Sequence, residues 1–440
     1  MTLKALVVAG LTLSAGAEAQ QIMPASVRRM VDSVSQTNLT AHVRQLERAG
    51  GHFSRVRHTV GNDSAVAYIL RQFRAIPNLT SVSVDTFSIP PRAGFTTRVQ
   101  SSIVATIAGT QNPARVFVVG AHHDASGSRM SGWSTQWNTA RIPGADDNAT
   151  GVAIILELAR LMSDPSFGYR PAWTIRFVAF AAEESSPADN TSHAGSRRQA
   201  QASKTAQEDV AGMVSVDMVG YNPGYHFQSI IANPASEPLA RKFMAANDSV
   251  DIALTLGLKV DAASTYSDHD TYWAQGYQAV CLIEYAPPWN SGPTYTANPF
   301  YHTPGDSSQT VNFTLVRKVA QLTLASVGMM ASPSTGVDGP TAGHLPLRLV
   351  LEQNYPNPFN PTTNIAYTVP AVAGRGSADS HVRLALYDLL GREVAVLVDE
   401  TQAPGSYMVP FLAAGMASGQ YVYRLTADGY SASRIMTLVR

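Results

Sequence analysis

The hydrophobic positions of this chain change their spacing several times, and each change marks a different element. Val43 and Leu46 stand at helical spacing, as do Ala67, Leu70 and Phe73 in the run from Ala65 to Phe73, so amphipathic helices are predicted there. Val82, Val84 and Phe87 follow in a mostly alternating pattern, as on a strand. Beyond them, short continuous apolar runs alternate with helical ones. Val116-Phe117-Val118-Val119, Trp173 to Ala181, Met213 to Val216 and Val280 to Ile283 read as buried strands. Val152, Ile155, Leu156, Ala159 and Met162 line one face of a helix, and a last helix is predicted within Thr310 to Met330. Buried strands separated by helices predict an α/β fold, a mostly parallel mixed sheet flanked by helices.

The texture then changes. Ser332 to Pro346 is rich in Ser, Pro, Gly and Thr without periodicity, as a linker is. After it come short β-rich runs: Val382 to Leu389 and Glu393 to Leu397 around the turn Leu390-Gly391-Arg392, then Tyr421 to Leu425 and Ser433 to Leu438. They predict a small, separate all-β sandwich-like domain. At the other end Lys4, the apolar stretch Ala5 to Ala15 and the small-x-small site Ala17-Glu18-Ala19 follow in the order of a secretory signal peptide. The expected plan is a signal peptide over 1–19, an α/β domain over 20–331, a linker over 332–348 and a β-domain over 349–440. A chain of 440 residues has the length for two cores.

Composition narrows the partners. Lys plus Arg and Asp plus Glu are 32 each, so the formal charge is zero and no basic face for nucleic acid is expected. Cys281 is the single cysteine, which rules out an intrachain disulfide and a Cys-rich zinc site. No stretch of the expected mature chain has transmembrane length.

The chemistry gathers where strands end. The strand at Val116 delivers His122-His123-Asp124, the strand at Trp173 delivers Glu183-Glu184, and Met213 to Val216 delivers Asp217. The loop Pro143 to Asn148 opens the Val152 helix with Asp146 and Asp147, and Tyr301-His302-Thr303 precedes the final helix. In parallel sheets such groups converge at the carboxyl edge. Several carboxylates converging beside imidazoles repel one another unless a cation joins them. Mixed His and carboxylate donors suit zinc, and a shared carboxylate can bridge two ions about 3.5–4 Å apart. Of two adjacent Glu residues at a strand end, one can ligate while the other carries protons.

Six segments taken together resemble peptidase family M28: His122-x-Asp124, Gly144 to Gly151, Ala182-Glu183-Glu184, Val216-Asp217-Met218, Ser267-Asp268-His269 and His302-Thr303-x-x-Asp306. The resemblance implies two zinc ions, and a carboxylate-rich site also takes cobalt or manganese as substitutes. One ion is held by His122, Asp146 and Asp217, the other by Asp146, Glu184 and His302, so that Asp146 bridges. It implies Glu183 as general base and acid, with Asp124 orienting His122. It also implies a cis peptide between Asp146 and Asp147. Asp147 is expected to serve loop geometry, and His269 to cap or pack near the site. Asp268, Ser267 and Asp306 are expected around the metals or the substrate. Some family members have a Tyr where this chain has Ser264, which leaves Tyr266 as the candidate to stabilise the oxyanion.

The last module has its own signature. Leu351 to Pro361 (including Asn354-Tyr355-Pro356-Asn357-Pro358-Phe359-Asn360-Pro361), Leu386 to Val394 and Gly419 to Leu425 resemble the type A C-terminal sorting domain of type IX secretion. That resemblance implies export through the periplasm of a Gram-negative bacterium to the cell surface or beyond, with the secretion machinery as partner. The reading is therefore a secreted zinc aminopeptidase acting on peptides. Its rivals are a carboxypeptidase or dipeptidase using Arg129 or Arg141 for the substrate carboxylate, a single-zinc glutaminyl cyclase, and a catalytically dead surface protein.

Overall fold

The computed structural model describes residues 23–51, 54–250 and 252–333, and in the carboxy-terminal part 350–351, 353–354, 357–369, 380–402, 405–427 and 430–439. The expected signal peptide and most of the expected linker lie outside these residues. The chain divides into two compact units, one spanning Gln20–Gly336 and the other containing Val337–Arg440. Among the described residues no helix is long and apolar enough to cross a membrane.

The first unit is built on one eight-stranded sheet. Its strands are β1 (Ser81–Phe87), β2 (Gln100–Ile107), β3 (Asn112–His122), β4 (Trp173–Phe180), β5 (Asp209–Val216), β6 (Phe227–Ala232), β7 (Thr255–Val260) and β8 (Ala279–Ile283). They lie in the order β1-β2-β4-β3-β5-β8-β6-β7. The centre is parallel, with β3 between β4 and β5 and β5 beside β8. Antiparallel joins flank it at β1–β2, β2–β4 and β6–β8, which makes the sheet mixed.

Strand alternation sends successive side chains to opposite faces. Phe117, Val119 and Ala121 of β3 join one large core, while Val116 and Val118 join a second core behind the sheet. Over the first face pack α1 (Ala25–Asp32), α2 (Gln36–Glu47), α3 (Val60–Ala75), α5 (Gly151–Ser163), α7 (Glu237–Ser249) and α9 (Phe313–Met330). The second core is covered by α6 (Ala194–Thr205) and α8 (His269–Trp273), through Ala200 and Tyr272. One short helix, α4 (Trp133–Gln136), sits in the loop after β3. The sequence pattern anticipates β1, β3, β4, β5 and β8 but not β2, β6 or β7. Polar residues interrupt the apolar runs of β2 and β6; those of β6, Gln228 and Ser229, are buried within the sheet, while those of β2 find partners. Ser102 Oγ in β2, for instance, accepts the N–H of Ala181 at 3.1 Å.

The second unit holds two antiparallel sheets. One is ordered β13 (Gly405–Leu412), β10 (Thr362–Val369), β9 (Val350–Leu351); the other is β12 (Glu393–Gln402), β11 (Ser380–Tyr387), β14 (Gly419–Ala427), β15 (Tyr430–Leu438). Ile365 and Tyr367 of the first sheet and Leu384, Leu386, Tyr423 and Leu425 of the second share one core. The turn between β11 and β12 forms at Gly391, in left-handed conformation (φ 78°), with Asp388 Oδ1 accepting the N–H of Leu390 and Arg392.

Candidate active site

Three neighbouring strands carry the chemistry to one edge. β3 ends in His122, β4 runs into Glu183-Glu184, and β5 runs into Asp217. The exits are sharp. Ala182, Met218, His193 and His302 all adopt left-handed φ between 50° and 56°, uncommon for residues with a Cβ and concentrated here at the site. Asp124 ties two of the strands together, its oxygens accepting the N–H of Glu183 and Glu184 at 3.1 Å each. His122 Nδ1 lies 3.2 Å from the Asp124 carbonyl and 3.6 Å from its carboxylate, so Asp124 sets the imidazole largely through its backbone.

The loop into α5 is held from below. Gly144 is left-handed (φ 56°), and a Cβ there would stand 2.5 Å from the Asp147 carbonyl. The buried guanidinium of Arg55 donates to the carbonyls of His123, Pro143 and Gly144. The Asp306 carboxylate accepts the N–H of Asp146 at 2.8 Å and of Asp147 at 3.0 Å. At Gly151 the helix starts so close to β5 that a Cβ would be 2.2 Å from the Val216 carbonyl.

This loop reverses the expected roles of its two aspartates. Asp147 reaches into the site: its Oδ1 is 3.2 Å from His122 Nε2, and its Oδ2 is 3.0 Å from His302 Nε2. Asp146 turns away. Its Oδ1 accepts the Gly220 N–H at 2.6 Å, and its Oδ2 accepts from Asn298 at 3.1 Å. Asp147, and not the expected Asp146, is therefore the aspartate placed among both pairs of imidazole and carboxylate donors, because adjacent side chains diverge and Asp147, extended at φ −107°, is the one aimed at the imidazoles. The cis peptide lies one bond later than expected, at Asp147–Asn148.

Two sets of donor atoms result, each within 4.8 Å of one another: His122, Asp147 and Asp217, and Asp147, Glu184 and His302. His122 Nε2 is 3.2 Å from Asp217 Oδ1, and His302 Nε2 is 2.7 Å from Glu184 Oε1. The electrostatics match a cation site. Burial pushes the Glu184 carboxyl up to about 8 despite His302. Burial would lower His302, but the charge of Glu184 and the bond to Asp147 raise it to about 10. Burial works against Asp147 as well, yet hydrogen bonds from His122 and His302 hold it below the usual carboxylate range. Two imidazoles and three carboxylates, almost wholly buried, fit the mixed donor set of a zinc pair sharing one carboxylate.

Glu183 belongs to neither set. Its Oε2 stands 4.0 Å from His122 Nε2, and its Oε1 meets His193 Nε2 at 3.0 Å. Both Glu183 and the donor sets open into a cavity of about 260 Å³, whose walls include Tyr266, Trp289 and Tyr301. Tyr266 is 53% exposed, its ring edge-on to Trp289 at 5.5 Å, so it forms the rim of the cavity. Ser267 is buried against Ser215, their hydroxyls 3.0 Å apart. Asp268 is fully buried, its carboxyl pushed up to about 8 by burial and by Glu183. His269 Nε2 donates to the Ser264 carbonyl, and the ring packs edge-on to Trp273, away from the donor atoms. His123 likewise turns outward, its Nε2 at the Ser101 carbonyl.

His193, its partner Asp270 and Ser128 were not legible in the sequence. Ser128 Oγ meets His302 Nδ1 at 2.6 Å, and His193 Nδ1 meets Asp270 Oδ1 at 3.0 Å. A polar loop, Ser185 to Ser192, separates His193 from Glu183, and no spacing rule brings its imidazole back.

Known proteins place this architecture. A probable zinc metalloprotease of Phaeosphaeria nodorum is 30% identical over 228 residues, 46% of this chain and 42% of the relative. The chain thus spans less than half the length of that relative. A zinc aminopeptidase from Bacillus subtilis superposes with a TM-score of 0.55 at 16% identity, covering 69% of this chain and 97% of its own. A glutaminyl cyclase from Fimbriiglobus ruber superposes with a TM-score of 0.53 at 16% identity, covering 68% and 96%. At such identities the two structures speak for the fold. The signature described as peptidase family M28 matches residues 102–327, half of the chain and the whole stretch that builds the site, and the chain belongs to that family.

Proposed function

We propose that the chain is a two-zinc aminopeptidase that removes N-terminal residues from peptides. The observation that carries this reading is the pair of donor sets sharing Asp147, with Glu183 beside them and outside both. His122, Asp147 and Asp217 would hold one ion, and Asp147, Glu184 and His302 the other. Zinc bound there supplies Lewis acidity toward the peptide carbonyl and toward a water. Glu183 takes a proton from the attacking water and returns it to the leaving amine, so it ends the cycle as it began. The fully buried Asp124 fixes the backbone of Glu183 and Glu184, so neither carboxylate needs to reorganise.

The cavity wall offers no partner of the kind a carboxypeptidase needs. Among the described residues its lining contains acids, imidazoles and aromatics but no Lys or Arg. Arg129, a candidate for a substrate carboxylate, instead lies over the Tyr301 ring at 4.7 Å, and Arg141 reaches Glu47 at 3.5 Å. A substrate carboxylate thus finds no guanidinium or ammonium among the described residues of the cavity wall, which counts against a carboxypeptidase. The reading is tested with aminoacyl peptides blocked at the carboxyl end, their amino-blocked counterparts, and a Gln-initiated peptide, each with and without chelator. Chelator-sensitive release of the first residue from the carboxyl-blocked peptides, and of free Gln, is expected. Cleavage that needs a free C-terminus, ring closure of Gln without peptide cleavage, or activity that survives chelation overturns it.

The carboxy-terminal β-unit we assign to export by type IX secretion. Its Asn-Tyr-Pro-Asn-Pro-Phe-Asn-Pro signature supports this, as does the confinement of both donor sets to the first unit among the described residues. Deleting residues 337–440 should leave the enzyme in the periplasm of a host with that machinery; export of the deleted form overturns the assignment.

A further inference from the structure

His193 is a buried cation wedged between two carboxylates. Its Nε2 is 3.0 Å from Glu183 Oε1 and its Nδ1 is 3.0 Å from Asp270 Oδ1, so both ring nitrogens are engaged. Burial acts to lower its pKa, but the charge of Glu183 and the bond to Asp270 raise it to about 11, which makes it an imidazolium donating at both ends. The backbone repeats the join: the His193 N–H donates to the Glu183 carbonyl at 2.8 Å, and the Ala194 N–H donates to Ala182 at 2.8 Å. His193 holds this place in left-handed conformation (φ 51°), at the start of α6.

The consequence falls on Glu183. A glutamate at the edge of two metal sites has a choice, because it can rotate and ligate as its neighbour Glu184 is placed to do. A donor fixed on Oε1 removes that freedom and leaves Oε2 on the side of His122. We propose that His193 is a positioning residue that pins Glu183 Oε1, so that Oε2 alone meets the reacting groups, with Asp270 orienting the imidazole from behind. This rests on Glu183 being the proton carrier. The arrangement parallels the way outer partners fix the rotation of metal-binding imidazoles, here applied to the base instead of a ligand.

The test compares His193→Phe, His193→Gln and His193→Asn with Glu183→Gln, measuring kcat, KM, metal per chain and unfolding temperature. A Gln amide nitrogen falls near the place of Nε2 and can reach Glu183, whereas an Asn amide falls near Nδ1 and can reach only Asp270. His193→Phe should lower kcat about 10–100-fold with KM changed less than about threefold and metal content retained. His193→Gln should recover much of the loss, and His193→Asn should not. If His193→Phe keeps the full kcat, or if Gln and Asn restore equally, the proposal fails. Should the Phe variant unfold early, the Gln and Asn pair decides the matter. Activity that survives in Glu183→Gln would instead sink the assignment of the base.

Discussion

His302 Nε2 stands 3.0 Å from Asp147 Oδ2, although one residue lies on the loop before α9 and the other on the loop that opens α5. The contact makes Asp147 the shared member of both donor sets, and Asp146 its outward-turned neighbour. The two aspartates should respond oppositely to the same change. Asp147→Asn is expected to strip metal and to lower kcat/KM at least about 100-fold, since altering even an outer partner of a metal ligand costs about 10–100-fold. Asp146→Asn, replacing a carboxyl that burial and Asp306 already push toward its neutral form, should keep its metal. Elemental analysis with kinetics checks both, and the reverse ranking would restore Asp146 as the bridge.

Glu183→Gln preserves shape and one acceptor, but its amide cannot take up the proton of the water. Metal content should stay at the wild-type value while kcat falls about 10²–10⁴-fold. Loss of metal in this variant would make Glu183 a ligand.

Asp306 satisfies two buried N–H groups beneath the metal-facing loop. Asp306→Ala orphans both, at about 1–3 kcal/mol for each unpaired group. Asp306→Asn keeps one carbonyl acceptor and should fall between. Urea unfolding measures the order; an Ala variant as stable as wild type contradicts it.

Asp189 anchors the loop before His193 to His58 (Oδ2 to Nε2, 2.6 Å) and to Arg57. Burial opposes its ionisation, but hydrogen bonds from His58 and the Thr191 N–H, with Arg57, hold it below the ordinary value. Because the folded pKa is depressed, its stabilisation is complete above the unfolded value of about 3.9 and is lost as pH falls through the folded one. Asp189→Asn should therefore cost about 3 kcal/mol at neutral pH, as for a broken buried pair. The gap from wild type should narrow in acid, once pH falls below the ordinary carboxylate value, which stability curves followed downward from pH 7 would reveal. A gap that widens in acid reverses the sign.

Tyr266, Trp289 and Tyr301 form a connected set of rings along the cavity, with centroids 5.5 and 5.6 Å apart. They suit a bulky apolar side chain. Trp289→Ala should cut the preference for N-terminal Leu or Phe over Ala by about 1–3 kcal/mol, read as a ratio of kcat/KM values. An unchanged ratio would place the side-chain pocket elsewhere.

The sequence by itself determined four of the buried strands, β3, β4, β5 and β8, which of them end in metal-type side chains, and that Glu183-Glu184 pairs two carboxylates at one strand end. Apolar periodicity reports burial directly, so β3, β4, β5 and β8 and helices α5 and α9 were legible from spacing alone. His122, Glu183-Glu184 and Asp217 stood out because the carboxyl edge of a parallel sheet collects what its strands deliver, whereas choosing Glu184 and His302 as donors rested on the resemblance to family M28. Tertiary structure alone decided the rest. Adjacent aspartates differ in direction, not in chemistry, and only the grip of Asp306 and Arg55 on the loop turns Asp147 inward and Asp146 toward Gly220. His193 reaches Glu183 only because the polar loop after Glu184 folds back to start α6 beside β4, and the buried polar strand β2 depends on a partner from β4's exit, the N–H of Ala181 on Ser102. Periodicity encodes how deeply a side chain is buried; direction and long-range pairing arise only when distant segments pack.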